Sequence, residues 1–425
     1  MSQRPRGVNV IAYVSGALGL GVAARSSVAR LLAWGHPVAV LDVDPGGSRV
    51  RRDLSYAALE CNGVCPHPVN LFYMNPLEIV SFSKQWLPRA SMQAINVCVP
   101  YWEMPHLPLD WLPVLGAMDL LMAPSRFIRS AIEKDLPGMP VVSYPQMVSL
   151  PDGVQADRPR WGIADGVVTF LLTFDPSSDT FRKNPLGAVE AFQRAFRSDE
   201  NVAMAIKINL SKQSGYRGEF QTLLRLKSAV ASDRRIRTIE EHLSYADVLS
   251  LYASADVMVS LHRAEGLGLH LMEAMILGRP VIATGWSGNM DFMTPENSCL
   301  VGYQLGRVRS PHPAYAAELA RPEQVWAEPD IDEAAAWMRR LASDPSLRTA
   351  LGARAAQTMR EWTSAANAVS PFLGIEKMVD ASESPIRLRR QQTLTRLIWR
   401  HRVRRFLRRW KRKAGSAFGI ARARR

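Results

Sequence analysis

Between Val257 and Thr284 two short apolar runs bracket a glycine-marked turn and one helix-length segment, and that alternation restricts the chain to a parallel α/β layer. Val257–Leu261 is β-branched and short, which suits a strand buried on both faces of a parallel sheet. Gly266 and Gly268 let the backbone turn sharply and approach a ligand with no Cβ in the way. Leu269–Leu277 reads as a helix stopped by Gly278 and Pro280, and its first free amides carry the partial positive charge that attracts a diphosphate. Glu265 precedes this helix and Glu273 follows eight residues later, a span of at most ~12 Å if wholly helical. That span suits one carboxylate on the hydroxyls of a sugar and the other on the ribose of a sugar–diphosphate–nucleoside. Two solvated glutamates on an ordinary α/β unit are the plain alternative.

A second unit repeats the pattern upstream. Thr169–Phe174 is a strand candidate, followed by the polar loop Asp175–Pro185 and a helix pattern over Leu186–Phe196. Arg182 and Lys183 fall on that loop just ahead of a helix N-terminus, where two cations and free amides can share a diphosphate. A third strand, Val202–Ile208, carries Lys207 in an apolar run; a cation there either meets an anion or snorkels out at the strand end.

These stretches, HRAEGLGLHLMEAMILGRPVIAT with its Glu265-x7-Glu273 spacing, FDPSSDTFRKNPLGAVEAFQRAF upstream and ASADVMVSLHR between, resemble the retaining GT-B glycosyltransferases of family 4, the group 1 type. Those enzymes move a sugar from a nucleotide-sugar donor to an acceptor. The resemblance is specific from Val168 to Tyr303 and looser in the first half. It implies an α/β GT-B architecture, two Rossmann-like domains facing an interdomain cleft. It implies that Glu265 faces the transferred sugar, that Gly266, Leu267 and Gly268 offer amides to sugar and phosphate, and that Glu273 holds the ribose. Lys183 corresponds to the family's diphosphate-binding lysine. Where the family often has an arginine five residues earlier, this chain has Ser178, so Arg182 or Lys207 is left to supply that charge. The segment Arg237–Glu240, which includes Ile239, passes near the base in the resembled family.

In the first half, Val8–Val14 is a strand candidate, Ser15–Gly21 a glycine-rich turn, Val22–Trp34 has helical apolar spacing and Pro37–Val43 is a further strand. The spacing Gly16-x2-Gly19-x-Gly21 is not the G-x-G-x-x-G of dinucleotide enzymes, the rival reading. In the resembled family this loop faces the cleft near donor phosphate and acceptor, which marks Gly19 and Gly21. The stretches 97–105 and 119–127 also resemble pieces of that family's acceptor domain. Many relatives place a histidine after the earlier of these strands; here Tyr101, Trp102 and Glu103 stand in that loop, with His106 later. Aromatic rings on a sugar face fit chemically, and so does a loop packed by its own aromatics.

With no carboxylate assigned to the far face of the sugar, front-face transfer through an oxocarbenium-like state is expected rather than a covalent sugar–enzyme intermediate. Lys183, Arg182 and helix amides would stabilise the departing diphosphate. The nucleotide sugar is a substrate, and no other cofactor and no metal is expected. Cys61 and Cys65 have C-x3-C spacing with His67 nearby, but Cys98 sits in an apolar strand and Cys299 is remote, so no closed set of four zinc ligands exists.

The 425 residues suffice for two or three domains. The reading is 1–155 for an acceptor-side domain, 156–375 for the nucleotide-sugar domain and 376–425 for a basic tail, with the first boundary in the polar, proline-marked stretch Ser149–Arg160. Arg4 and Arg6 ahead of Val8–Ala24 mimic a signal peptide, but strand, turn and helix account for the same residues and their glycines, so a cytoplasmic location is expected. No run of eighteen apolar residues occurs.

Charge is concentrated at one end. The net charge is +14, and residues 387–425 hold sixteen Lys and Arg with no acid, so the rest of the chain is slightly acidic. On a helical projection Trp399, Val403, Phe406, Leu407, Trp410, Ala414, Ala417 and Phe418 share one face, with Arg402, Arg404, Arg405, Arg408, Arg409, Lys411, Arg412 and Lys413 around it. A basic helix with tryptophans on its apolar face suits an anionic membrane surface, which would make the protein peripheral there and give a lipid-linked acceptor a location. Against this, Leu394, Leu397 and Ile398 lie on the other side, and Gly415 and Gly419 loosen the end. A solvated tail and a nucleic-acid partner are the less favoured readings. Two functions from different classes therefore stand: a hexosyltransferase acting on a glycan or lipid-linked acceptor in polysaccharide or glycolipid synthesis, and a nonenzymatic nucleotide-binding protein whose tail engages membrane or nucleic acid.

Overall fold

Mostly apolar runs of three to five residues, separated by helix-length segments, build a first sheet of six parallel strands: β1 (Val8–Ala12), β2 (Val38–Asp42), β3 (Val69–Tyr73), β4 (Ile95–Cys98), β5 (Leu120–Ala123) and β6 (Val141–Ser143). Their spatial order is β2-β1-β3-β4-β5-β6, so the winding reverses between β1 and β3. This is a computed structural model that describes residues 6–16, 18–43, 53–83, 94–209, 217–368, 370–372, 375 and 385–422; the side chains of 217–218, 320, 385–386 and 408–422 lie outside that description. The tail residues from Arg408 onward named above, and Arg4, therefore fall outside it.

One polar row crosses the middle of this otherwise apolar sheet. Asn9 pairs in register with Asn70, and Asn70 with Asn96. Asn9 Nδ2 donates to Asn70 Oδ1 at 2.9 Å, Asn70 Nδ2 to Asn96 Oδ1 at 3.1 Å, and the Asn96 amide to Asp119 Oδ2 at 2.8 Å. Buried amides satisfied by one another cost little, and a slip of one residue would orphan all of them, so the row pins the strand register.

The helices are α1 (Gly19–Ala33), α2 (Pro76–Ser81), α3 (Leu112–Leu115), α4 (Arg126–Asp135), α5 (Thr180–Lys183), α6 (Pro185–Ala195), α7 (Arg217–Ser232), α8 (Tyr245–Ser254), α9 (Leu269–Ile276), α10 (Ile331–Ser343), α11 (Pro345–Asn367) and α12 (Pro385–Arg422). Two differ from expectation in a way that moves site residues. Helix α1 starts at Gly19 rather than Val22, so Gly19 and Gly21 lie in its first turn and the glycine-rich turn is shorter. The loop after Phe174 contains the helical turn α5, so Arg182 and Lys183 are helical.

The second sheet holds β7 (Val168–Phe174), β8 (Val202–Ile208), β9 (Ile236–Ile239), β10 (Val257–Ser260), β11 (Val281–Thr284) and β12 (Cys299–Val301), all parallel, in the order β12-β11-β10-β7-β8-β9. Its reversal falls between β7 and β10, the place where open α/β sheets bind ligands beyond the strands' carboxyl ends. An antiparallel pair, β13 (Tyr303–Arg307) with β14 (Val325–Pro329), completes this half. No helix or strand is formed between β6 and β7, where Ser149–Arg160 lies.

The chain joins the two halves twice, and both joints touch Arg30. Its Nη1 donates to the Pro145 carbonyl at 3.0 Å in the outgoing connection, and its Nη2 donates to the Ala366 carbonyl at the end of α11. Beside it, Trp362 Nε1 donates to the Gln146 carbonyl and Trp34 Nε1 to the Asn367 carbonyl, each at 3.0 Å. Past α11, Phe372 and Ile375 are buried in the core of the first sheet.

Helix α12 then docks on the same half. Leu394 and Ile398, which the projection counted against a membrane face, are buried in the first domain's core beside Ile79, Val114 and Leu115. Arg390 Nη1 donates to the Asp119 carbonyl at 3.1 Å. Among the described residues no helix is long and apolar enough to cross a membrane.

Candidate functional site

The loop leaving β7 is folded by its own side chains. Asp179, with φ of +77°, accepts from the Phe181 amide at 2.9 Å and so starts α5. Asn184, with φ of +50°, ends α5, caps α6 by accepting from the Gly187 amide, and donates to the Leu261 carbonyl at 2.9 Å. That last bond ties the loop to the end of β10, which brings α5 and the Glu265 turn together.

Arg182 turns inward from α5 and is buried. It donates to the carbonyls of Ala264 and Ser178, at 2.8 and 2.9 Å, and lies 3.3 Å from Glu265 and 3.4 Å from Glu103 of the first domain. Lys183 closes directly on Glu265 Oε1. Glu265 is fixed from behind: its amide donates to Ser287 Oγ at 2.9 Å and its carbonyl accepts from the Gly288 amide at 2.8 Å. Burial pushes the Glu265 carboxyl up, but Lys183 and Arg182 outweigh it and hold the group well below the usual carboxylate range. Burial lowers the Lys183 ammonium despite Glu265. For Arg182 the burial cost is overcome by Glu103, Tyr315 and Glu265, which hold the guanidinium firmly charged.

Gly268, with φ of +96°, precedes α9 without a side-chain cap, leaving the first amides of that helix to other partners. Glu273 is buried one turn and more along α9, and Tyr245 Oη donates to its Oε1 at 2.9 Å. Here burial dominates, and although the Tyr245 hydrogen bond and Arg25 pull the other way, the Glu273 carboxyl is pushed up to about 7. Arg25 belongs to the first domain. It holds the glycine-rich turn through the Val14 and Gly16 carbonyls, at 2.7 and 3.2 Å, and pairs with Asp53 at 2.9 Å. Gly21 is required by that packing, since a Cβ there would lie 2.3 Å from the Gly16 carbonyl. Gly19 has Leu269, at the start of α9, as its nearest neighbour at 3.7 Å, so it faces the other domain.

The remaining candidates fall into place by strand end. Lys207 and Ile239 are register partners at the carboxyl ends of β8 and β9. Lys207 is buried and donates to the Ile208 carbonyl at 3.1 Å, while Ile239 packs at the edge of the core that contains Leu267 and Leu271. The Gly266 carbonyl accepts from Ser125 Oγ at 2.7 Å, and a Cβ on Gly266 would lie 2.7 Å from the Trp102 carbonyl, so this turn is seated against the first domain. The aromatic loop after β4 packs on its own neighbours: Trp102 lies against Trp111 and Tyr315, with ring centroids 5.1 and 5.4 Å apart. Glu103 turns to Arg182 and accepts from Tyr315 Oη at 3.0 Å, whereas His106 pairs with Asp135 at 2.8 Å and joins a different contact.

Several members of the site were not singled out from the sequence. His262, His270, Ser260 and Asn289 line the wall behind Glu265: Ser260 Oγ lies 3.0 Å from His262 Nδ1 and 3.4 Å from His270 Nε2, and His262 Nε2 lies 3.2 Å from Asn289 Oδ1. Burial, then Lys183, pushes the His270 imidazole down to about 3, so it is neutral. The spacing of His262 and His270 around Glu265 was the available clue. Tyr245, Ser287 and Tyr315 come from distant segments and had none. Among the described residues no group of three or more His, Cys, Asp or Glu is placed to hold a metal ion. A surface concavity lined by Gln193, Phe196, Asp199 and Arg234 lies at the amino ends of β8 and β9, the end opposite the one where such sheets bind ligands.

A family profile described as Glycosyl transferases group 1 matches residues 215–305. No curated protein matches the chain. Among solved structures, sucrose-phosphate synthase from Thermosynechococcus elongatus is similar with a TM-score of 0.62 at 15% identity, over 89% of this chain and 100% of that one. HepE from Anabaena, in complex with UDP and glucose, is similar with a TM-score of 0.57 at 13% identity, over 88% and 100%. The pneumococcal O-GlcNAc transferase GtfA, in complex with UDP and GlcNAc, is matched at 13% identity over 74% of this chain with a TM-score of 0.48, and the chain spans 56% of its length. Likeness at such identities speaks to architecture: two Rossmann-like domains facing a cleft, with a basic C-terminal helix, the GT-B fold.

Proposed function

We propose that the chain is a retaining glycosyltransferase that moves a hexose-type sugar from a nucleotide-diphosphate sugar to a glycan or lipid-linked acceptor, in polysaccharide or glycolipid synthesis. It would work in the cytoplasm, peripheral to a membrane, with 1–155 as the acceptor-side domain, 156–375 as the donor domain and 376–425 as the basic tail. The observation that carries the reading is Lys183 closed on an ionised Glu265 at the joint carboxyl ends of β7 and β10, with Glu273 eight residues further on the same unit. The HepE complex with UDP and glucose supports a nucleoside diphosphate and a hexose as the donor's parts.

In this reading Glu265 accepts from the hydroxyls of the transferred sugar and Glu273 from those of the ribose. The donor diphosphate draws Lys183 off Glu265 and meets the free amides of Gly266, Leu267 and Gly268 at the tip of α9. Gly19 and Gly21 bring the first turn of α1 close across the cleft. Lys207 and Ile239 border the nucleoside, and Arg182 keeps the turn carrying Glu265 in place while adding positive field. As the bond from the anomeric carbon to the diphosphate oxygen breaks, negative charge grows on the phosphate beside Lys183, and preorganised cations and amides lower the barrier. The acceptor hydroxyl attacks from the same face, and its proton passes to the departing phosphate oxygen. This division of labour asks the protein for positioning and charge rather than for a covalent intermediate.

The test is nucleotide release from a panel of UDP-, GDP- and ADP-sugars, with Glu265→Ala and Lys183→Ala as controls. Release by the wild type that falls about 10²–10³-fold in each variant is expected. Release that is unchanged in both removes the proposed site, and nucleotide binding without any release makes the protein a binder instead.

A further inference from the structure

The docking of α12 separates its apolar residues into two stripes with different fates. Leu394 and Ile398, one turn apart, are 0% and 2% exposed in the first domain's core, with Leu397 packed partly against them. On another side of the same helix Leu388, Trp399 and Phe406 stand 51%, 65% and 66% exposed, and Leu407 beside them 47%. Their spacing of eleven and then seven residues is close to three and two helical turns, so Leu388, Trp399 and Phe406 form one straight line. Arg396 and Arg400 follow on one flank of that line with Arg404 further round, half-buried Arg402 lies on the other side toward Ile398, and no acid occurs from Arg387 to Leu407.

We infer that this outer stripe of α12 seats on an anionic lipid bilayer, with Trp399, Phe406 and Leu407 in the headgroup–acyl boundary and the flanking arginines on lipid phosphates. Three observations favour this occupant. Large apolar side chains left in water on a helix already anchored by its other face are not explained by folding. Their bodies suit an interface, and arginine stems reach past them to phosphate while burying their methylenes. The charge is uniformly positive over the exposed segment, which matches an anionic surface. A nucleic acid would use the arginines but leave the Leu388–Trp399–Phe406 line unused. Because Leu394 and Ile398 clamp α12 to the first domain, docking would fix that domain against the bilayer, where a lipid-linked acceptor lies. The inference gives the peripheral location in the proposed function its surface, and its truth does not depend on the reaction.

Full-length protein sedimented with vesicles of phosphatidylcholine plus phosphatidylglycerol is expected to bind, and with vesicles of phosphatidylcholine alone to remain in solution. The double variant Trp399→Ser, Phe406→Ser should bind the anionic vesicles about tenfold more weakly, and Arg396→Gln, Arg400→Gln, Arg404→Gln about a hundredfold more weakly, with the residual binding lost at high salt. Circular dichroism and nucleotide release to water are measured on the same samples and stay at wild-type levels, so that failure to dock and failure of the catalytic reading are told apart. Equal vesicle binding by wild type and both variants overturns the inference. So does tighter binding to duplex nucleic acid than to vesicles that the Trp399→Ser, Phe406→Ser pair leaves unchanged.

Discussion

Glu265 and Glu273 belong to one strand–turn–helix unit, yet the two ends of that unit hold their carboxylates in opposite ways. Glu265 meets Lys183 and Arg182, which hold its carboxyl well below the usual carboxylate range. Glu273 meets the Tyr245 phenol, and burial, opposed only in part by that bond and Arg25, pushes it up to about 7. The difference teaches that residue type sets only what a group can do, while neighbours set when it is charged. The first end has its counter-charge built in, and under the proposed function it trades that charge for the donor diphosphate. The second has a neutral phenol in place of a counter-charge, and under the proposed function it gains the ribose hydroxyls as further donors.

The comparison breaks most severely if its positive half is removed. Lys183→Met should lower the rate of nucleotide release about 10²–10³-fold, read as kcat with KM changed far less; a KM effect alone would place Lys183 in ground-state binding. Glu273→Gln should act at the other end and raise KM for the donor about tenfold with a smaller change in kcat. The pH dependence sharpens the contrast. Donor affinity of the wild type should rise as pH passes upward through about 7, and in Glu273→Gln that rise should vanish, which titration calorimetry against pH would register.

Stability should show the opposite sign at each end. The folded pKa of Glu273 lies above its unfolded value, so its burial costs nothing below the unfolded pKa and destabilises increasingly up to about 7. Without donor, Glu273→Gln should therefore be more stable than wild type above neutrality by on the order of 3 kcal/mol, with the gap closing on acidification. Glu265 has a lowered folded pKa, so its contribution is complete above the unfolded carboxylate value and is lost only as pH falls below it. Denaturant titrations at several pH values would check both signs. The smallest effect is expected from Ser125→Ala, which removes the cross-cleft hydrogen bond to the Gly266 carbonyl together with the cap that Ser125 Oγ gives the Ile128 amide at the start of α4, and should cost about 1–2 kcal/mol.

Much of the fold was legible because its strands are short apolar runs: Val202–Ile208 matches β8 residue for residue, and the helix read from Leu269 begins there. What escaped notice lacked a local signal. The start of α1 at Gly19 has Leu18 before it, with no side-chain cap to announce a helix. The α5 turn is launched by Asp179 at positive φ, a conformation that glycine advertises and aspartate does not. In the candidate site, Glu265 and Glu273 are read from their spacing and Lys183 from its place ahead of a helix and from the resemblance, whereas Tyr315 and Ser287 reach it through tertiary folding. The tail posed a different problem. A helical projection gives each face a polarity but not a destination, so Leu394 and Ile398 counted against one surface when they belonged to another.

The double joint at Arg30 has a mechanical consequence. Two polypeptide crossings placed side by side act like the pins of a door: they suppress sliding and twisting and leave a swing about the line through them. Movement is then least beside Trp34 and Trp362 and grows with distance from that axis, so a modest rotation at the pins is geared up at the far edge.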